Sequence, residues 1–373
     1  MLKRLYVDNF RCMVNFECRF GAKQLILGPN GSGKTTLFDV VMRIRDVCGW
    51  GMPIDRLFLG STKTRWQSVA EQTFELDVAR NDTVYTFRLI VDTGGSPERP
   101  RIVTEEVRYA GEPLFRFTKG EVQLFDDGHK EKSRYPFDPH LSALATVPEQ
   151  NDNAKLSWFK RWLGNLLFIN ADPRQMRSIS QTEDRAPTVD LSNFSAWYRH
   201  LRLENDDHEL LADLRDVLPG LNSIALKDMG MGNRFLAFAF SMHEEGRAAL
   251  RQDQILFGIE ELSDGQRILV ALYTILHFAA KRGATLFLDE PDNYLALSEI
   301  QPWLDRLLEN VDDEDCQVFI ASHHPELLNR LAVQSGLLLE GSAGRPTRAR
   351  PYADPAETGL APAEVVARGW DHE

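Results

Sequence analysis

The stretch "LILGPNGSGKTTLFDVV", beginning at Leu25, limits what this chain folds into more than any other part of it. An apolar run turns through glycines into apolar residues at helical spacing. The pattern G-x-x-x-x-G-K-[ST] is met by Gly28, Gly33, Lys34 and Thr35. Its place between a buried strand and a helix is the context that gives it meaning. Gly31 and Gly33 let the backbone curl until successive N–H groups point at one anion. The start of the helix adds the positive end of its dipole. Lys34 then reaches β- and γ-phosphates, and the Thr35 hydroxyl ligates Mg²⁺. Pro29, Asn30, Ser32 and Thr36 complete the cradle. The plainer alternative is a glycine loop that only caps a helix.

"ATLFLDEPDN" is the second constraint. A buried strand ends in Asp289 and Glu290. Asp289 suits the Mg²⁺ shell, and Glu290 suits the base that orients and deprotonates an attacking water. Paired acids at a strand end are otherwise a solvated edge. "EELSDGQRILVALY" places Leu262, Ser263, Gly265 and Gln266 at the start of a long helix. A serine there is often an N-cap. With Asp264 and Gly265 behind it, N–H groups remain to face an anion, and a single protomer has no need of a second such site. "FIASHHPELL" ends another strand at His323 and His324. A histidine here can hydrogen-bond a γ-phosphate, or simply occupy a surface turn before Pro325.

The 373 residues suffice for two lobes. A formal net charge of −12 argues against non-specific affinity for nucleic acid or anionic membranes, and leaves room for a local basic patch. "ILVALYTILHFAA" is too short to cross a bilayer. No signal segment is read at the start, and Cys12, Cys18, Cys48 and Cys316 form no CxxC pair. Reduced thiols and a cytoplasmic location are therefore expected. Periodicity predicts strands at "LKRLYVDNF" and "KQLILG", a helix to about Val47 and an antiparallel sheet over 72–126. It further predicts helices around "WFKRWLGNLLFIN" and from Asn193 to Leu218, and a hairpin between Ile224 and Phe257. A long helix, a strand, a helix from about Ser298, a strand and a tail rich in Gly, Pro and Arg follow. The α/β ends predict one nucleotide-binding core built from both termini. Residues 1–130 are its N-terminal half with a β lobe, and 256–340 its C-terminal half. Residues 131–255 are a largely helical insertion ending in a hairpin, and 341–373 a tail.

The four motifs, in this order, resemble the ABC-type ATPases, in particular their RecF/SMC/OLD-like branch. The resemblance covers roughly Met1 to Asp126 and Ile255 to Leu339. "LKRLYVDNFRCM" is similar to that branch's opening strand with its Asn-Phe-Arg, "ELSDGQR" to its signature motif and "ASHHP" to its switch-histidine loop. The chain looks most like the small stand-alone bacterial predicted ATPases of this group, a likeness that extends through "NFSAWYRHL" and the terminal "ARGW". What this implies is an α/β P-loop NTPase, with an ABC-type nucleotide-binding core, an antiparallel β lobe and an inserted helical region. ATP and Mg²⁺ would be its ligands, and ATP would both be hydrolysed and draw two copies into a homodimer. By the resemblance, Lys34 and Thr35 hold phosphate and Mg²⁺, while Ser263, Gly265 and Gln266 serve the nucleotide of the opposite protomer. Glu290 is then the base, His323 the sensor, and Arg11 a side chain that approaches the nucleotide.

Three departures bear on this. Asp264 stands where a glycine is usual and brings another carboxylate near the phosphates. Ala296 stands where many relatives carry an acidic residue or a histidine, which puts coupling between two sites in question. The glutamine loop should fall in "FINADPRQMR", where Asn170 and Gln175 are the candidates. Other functions fit less well. A transporter subunit would have a shorter interval between Lys34 and Ser263 and a membrane-spanning partner. A long-armed SMC protein needs sustained heptads. An OLD-type nuclease needs more chain after His323, and "DDEDC" near Asp312 to Asp315 reads as a solvated acidic loop. A binding switch with little turnover would not need Glu290. The expectation is an ATP-dependent dimerising ATPase acting on a client protein or DNA and not on a membrane. "FKRW" and "GRPTRARP" are its short basic tracts. DNA maintenance or anti-phage defence follows from family analogy alone.

Overall fold

In the opening strand β1 (Leu2–Asp8), Leu2, Leu5 and Val7 are buried, and a one-residue irregularity after Leu2 keeps them on one face. The computed structural model describes residues 1–94, 99–241, 254–313, 316–342, 344–353 and 360–368. They divide into two units, Met1–Leu166 with Leu327–Glu373, and Leu167–Glu326.

In the first unit, β2 (Phe16–Arg19) pairs back on β1, and β3 (Lys23–Leu27) runs buried into α1 (Lys34–Ile44). The helix expected to reach about Val47 does so, its α-helical part ending at Ile44 and continuing as a π-helical turn over Arg45–Gly49, and α2 (Ile54–Leu57) follows. The buried Arg45 guanidinium lies 3.7 Å from the Trp50 ring centre and pairs with Asp46 at 2.7 Å, interactions made by the widened turn itself. The antiparallel lobe consists of β4 (Glu71–Arg80), β5 (Thr83–Asp92), β6 (Arg101–Tyr109), β7 (Glu112–Thr118), β8 (Glu121–Phe125) and β9 (Glu131–Pro136). With β1 and β2 they form one sheet in the order β2-β1-β4-β5-β6-β7-β8-β9. Asn81, with φ 51°, makes the β4–β5 turn that its sequence announces. Phe10 packs edge to face against Phe58 and Phe74, which are tilted against each other. The helices α3 (Ala143–Thr146) and α4 (Ala154–Gly164) complete this part.

The second unit opens with β10 (Leu167–Ile169), β11 (Ile179–Ser180), α5 (Phe194–Glu204) and α6 (His208–Val217). Next come β12 (Leu221–Gly230), β13 (Asn233–Ser241) and β14 (Gln254–Gly258), an antiparallel group. The hairpin expected between Ile224 and Phe257 is these three strands, with 242–253 outside the described residues. The region expected to be largely helical thus contains several strands as well. The helix α7 (Asp264–Phe278) is buried almost all round and leads to β15 (Thr285–Asp289), α8 (Leu297–Asp313) and β16 (Gln317–Ala321). β10, β15 and β16 run parallel and are wholly or nearly buried. Their side chains Phe168, Phe287 and Phe319 stack in file at 4.4 Å, one per strand. Such both-faces burial explains why these strands read as plain apolar runs.

From α9 (Pro325–Ser335) the chain continues into β17 (Gly336–Ser342), β18 (Arg345–Pro351) and α10 (Pro362–Ala367). β17 lies parallel to β3, Leu338 opposite Leu27, and β18 pairs antiparallel to β17. The segment read as a tail therefore carries a sheet strand, because Arg, Pro and Thr at its polar positions masked the alternation. Gly369 and Trp370 of "ARGW" and Glu314 and Asp315 of "DDEDC" lie outside the described residues. Among the described residues no two cysteines are joined by a disulfide. Among the described residues, no helix is long and apolar enough to cross a membrane.

Candidate nucleotide site

The loop after β3 is shaped by three glycines with positive φ: Gly28 at 139°, Gly31 at 81° and Gly33 at 109°. Gly28 has no room for a side chain. A Cβ there would lie 2.4 Å from the Leu339 carbonyl oxygen and 2.6 Å from Ser32 Oγ. Gly31 differs, since a Cβ on it would meet nothing within 4 Å. Its positive φ curls the chain while its surroundings stay open. Lys34, nearly buried, donates from Nζ to the Gly28 carbonyl at 2.7 Å and more weakly to Pro29 at 3.4 Å. The ammonium is thereby folded back over the loop it belongs to. Ser32 Oγ is buried and has no hydrogen-bond partner among the described residues. Such an orphaned polar atom inside a loop of N–H donors fits a phosphate better than it fits an empty turn. Pro29, Asn30 and Thr35 are exposed and Thr36 is half-buried at the same mouth.

The floor of the loop comes from the other end of the chain. Thr347 on β18 donates from Oγ1 to the Ser32 carbonyl at 2.7 Å, and its N–H donates to Cys12 O at 2.8 Å. A Cβ on Gly33 would sit 3.0 Å from both Thr347 Oγ1 and Cys12 Sγ, and one on Gly341 would sit 2.9 Å from Ser32 O. The sequence reading missed Thr347. Its only sequence signal is a threonine inside a basic tract, which says nothing of a partner three hundred residues upstream.

Arg11 is placed by the segment after β1. Asn9 is wholly buried, with its side-chain amide donating to Val69 O and Glu71 O at 2.8 Å, and Gln72 Nε2 donates to Asn9 O at 2.8 Å. Asn9 and Arg11 both have positive φ, at 61° and 47°. Arg11 pairs with Asp39 of α1 at 3.0 Å, and Arg43 holds the same carboxylate at 2.8 Å. The Asn-Phe-Arg text is thus a rigid corner that lays Arg11 along the first turns of α1.

In the second unit, Asp289 is buried at the end of β15. β10 runs in register beside it, Ile169 opposite Leu288, so Asn170 follows at the level of Asp289. Its amide donates to Asp289 Oδ2 at 3.4 Å. Gln175, the other candidate, lies exposed further along the loop. Glu290 has a left-handed φ of 49°, held by its N–H donating to Ala321 O at 2.8 Å and by Asn293 N donating to Glu290 O at 3.2 Å. A non-glycine residue kept there against its preference is common at functional sites. The histidine pair separates by role. His324 Nδ1 accepts from Glu326 N at 3.3 Å, capping the start of α9, and Ser322 Oγ accepts from His324 N at 2.9 Å. His323 is the exposed member, just beyond β16.

Ser263 is the N-cap of α7. Its Oγ accepts from Gln266 N at 3.2 Å, and Gln266 Oε1 accepts from Ser263 N at 2.9 Å. This capping box uses one N–H of the first turn and leaves Ser263 exposed. Gly265 is required by a close approach, since a Cβ would lie 2.9 Å from Tyr294 O. Tyr294 itself has φ 74° and belongs to the loop after Glu290. Ala296, where an acid or histidine was the usual residue, is exposed in that loop, and its N–H donates to Glu299 at 2.8 Å.

A family model described as "AAA domain, putative AbiEii toxin, Type IV TA system" matches residues 25–329. The chain belongs to this family. A second model, "AAA domain", matches residues 4–42 of this AAA-family ATPase. Its motifs and relatives place it in the RecF/SMC/OLD-like branch of the ABC-type ATPases. It is 24% identical over 339 residues to an OLD nuclease of Thermus scotoductus, across 87% of this chain. The chain spans 59% of that relative's length. A solved SMC head bound to the C-winged helix domain of ScpA superposes with a TM-score of 0.56 at 10% identity, over 96% of this chain and 99% of that one. An SMC head with a coiled coil and joint derived from Pyrococcus yayanosii gives 0.51 at 9% identity, over 99% of both chains. Both show the fold: an α/β P-loop ATPase core with an antiparallel lobe.

Proposed function

We propose that this protein binds ATP·Mg²⁺, hydrolyses it, and dimerises while ATP is held. The observation that carries the reading is the loop from Gly28 to Lys34, curled, floored by Thr347 and Leu339, and lined by an orphaned Ser32 hydroxyl. Lys34 would exchange its carbonyl partners for phosphate oxygens, and Thr35 and Asp289 are the residues that would offer ligands to Mg²⁺, which would supply positive charge against the phosphates. Asn170 steadies Asp289. Glu290 takes the proton of the attacking water, and His323 senses the γ-phosphate. Arg11, along α1, adds positive charge on the nucleotide's flank. The exposed turn at Ser263, Gly265 and Gln266 serves the nucleotide of a second copy.

The client is proposed by analogy with the names of the relatives, as DNA or a protein engaged with it, in genome maintenance or anti-phage defence. The cytoplasm suits such a role. The test is size-exclusion chromatography with light scattering on wild type and Glu290→Gln, with no nucleotide, ADP·Mg²⁺ or ATP·Mg²⁺. The expected result is monomer in the first two conditions and a dimer with ATP, persistent only in the variant. One mass in all conditions would show that nucleotide does not control assembly. DNA binding by the trapped dimer should weaken steeply between low and physiological salt, as phosphate contacts do. No binding at low salt would point to a protein client.

A further inference from the structure

The departure at Asp264 has a counterpart that the sequence did not reveal. Asp264 lies 3.6 Å from Arg174 Nε and 3.5 Å from Arg267 Nη1. The two arginines are held differently. The Arg267 side chain is only 12% exposed, and its nitrogens are committed to the carbonyls of Leu262 at 2.9 Å, Pro173 at 2.9 Å and Glu260. It welds the loop after β10 to the turn before α7. Arg174, the next residue after Pro173, is 72% exposed and reaches across to Asp264. Its guanidinium also lies 6.0 Å from the centre of the Tyr294 ring, the residue whose carbonyl forces Gly265 to be a glycine. Arg174 therefore reaches Asp264 of the exposed turn and lies over Tyr294 of the neighbouring loop.

The other charges nearby are accounted for. Glu260 accepts from Ser178 N at 3.0 Å and from the Ser178 hydroxyl, and Glu261 accepts from Gly258 N at 2.6 Å. Arg177 donates to the carbonyls of Arg174 and Met176 at 2.7 and 2.9 Å. Asp172, two residues before Arg174, accepts from Arg174 N at 3.0 Å, so carboxylates outnumber arginines around this turn, and Arg174 is the exposed arginine set against Asp264. A bare carboxylate at the first position of α7 would favour the helix but repel a triphosphate approaching Ser263.

We propose that Arg174 is a positioning residue for this turn: it cancels the charge of Asp264, so that a triphosphate held by a second copy of the chain can approach Ser263. The inference rests on the dimer reading given above. It predicts a thermodynamic cycle. Arg174→Ala should lower ATP turnover and weaken ATP-dependent association by about tenfold, within the usual range for coupled neighbouring charges. Asp264→Gly should change either by less than about threefold, and so should the double variant Arg174→Ala/Asp264→Gly, because the uncompensated charge is gone. Arg174→Lys should keep most of the function. The defect of Arg174→Ala should shrink in added salt, which screens an exposed carboxylate. Loss of a packing contact would be neither rescued by Asp264→Gly nor relieved by salt.

The measurements are steady-state phosphate release and light scattering with ATP·Mg²⁺ on the full chain, with circular dichroism to confirm folding. If wild type is active and Arg174→Ala matches it, or if the double variant is as impaired as Arg174→Ala, the inference is overturned and the dimer reading stands. If wild type neither turns over ATP nor associates with it, the dimer reading fails and the inference with it.

Discussion

At the scale of single residues, the loop separates positions chosen for their backbone from positions chosen for their chemistry. Gly28 is fixed by the Leu339 carbonyl, while Gly31 needs only its φ. Lys34 is the chemical choice. Replacing it with alanine removes a charge-assisted donor, so ATP·Mg²⁺ affinity should fall about ten- to hundred-fold, the worth of a hydrogen bond to a charged group. Calorimetry decides this, and unchanged affinity would remove Lys34 from the site. Glu290→Gln should cost about 10² to 10⁴ in turnover, the usual contribution of a positioned base, with ATP still bound. Phosphate release at the wild-type rate would sink that role. Lys34, Asp289 and Glu290 were legible in the sequence because their meaning is local, a spacing next to a strand. Asn170 was legible only as one of two candidates. What sets it beside Asp289, with Gln175 exposed further along the loop, is the parallel register of β10 on β15, a pairing between segments more than a hundred residues apart. His323 was singled out from His324 by the resemblance alone, and the cap that His324 makes on α9 could not be read from the sequence.

At the scale of elements, β18 carries the clearest lesson. Its text of arginines, prolines and threonine resembles a loop, and only its pairing with β17 makes it a strand. Thr347→Val keeps the shape and removes the donor, leaving the buried Ser32 carbonyl unpaired at a cost of about 1–3 kcal/mol. The expected outcome is a lower unfolding temperature together with weaker ATP binding, while Thr347→Ser stays close to wild type. Thermal unfolding with and without ATP·Mg²⁺ checks it, and indifference to valine would show that the floor of the loop does not depend on this bond. The antiparallel lobe, by contrast, was readable almost strand by strand. Its contacts join neighbours in sequence through short turns, and one wetted face preserves the alternation. The parallel strands could be recognised as buried but not ordered, because nothing in "TLFLDE" or "QVFIAS" names its neighbour.

For the whole molecule, stability has a titrating group far from the site motifs. Glu105 on β6 is wholly buried, accepting from the Ser142 hydroxyl at 2.5 Å and from Leu144 N at 3.3 Å. Burial pushes its carboxyl up from the ordinary glutamate range, and these donors only partly offset that. The folded state therefore binds this proton more tightly than the unfolded chain. Its contribution is complete below the unfolded value, about 4.3, and is lost as pH rises through the folded value. Glu105→Gln should gain stability relative to wild type as pH is raised from about 4 towards neutrality. Urea midpoints across that range test it, and parallel profiles for the two proteins would contradict it.

The bond from Thr347 to Ser32 closes an interval of 315 positions. On a ribosome adding about 5–20 residues per second, the phosphate loop is made early, then waits roughly 15–60 s for its floor. Until β17 emerges, Gly28 has no Leu339 carbonyl against it, and until β18 follows, Ser32 has no hydroxyl beneath it. A nascent chain stalled before Thr347 should thus be blind to nucleotide, and a half-made copy could not recruit a finished one through ATP.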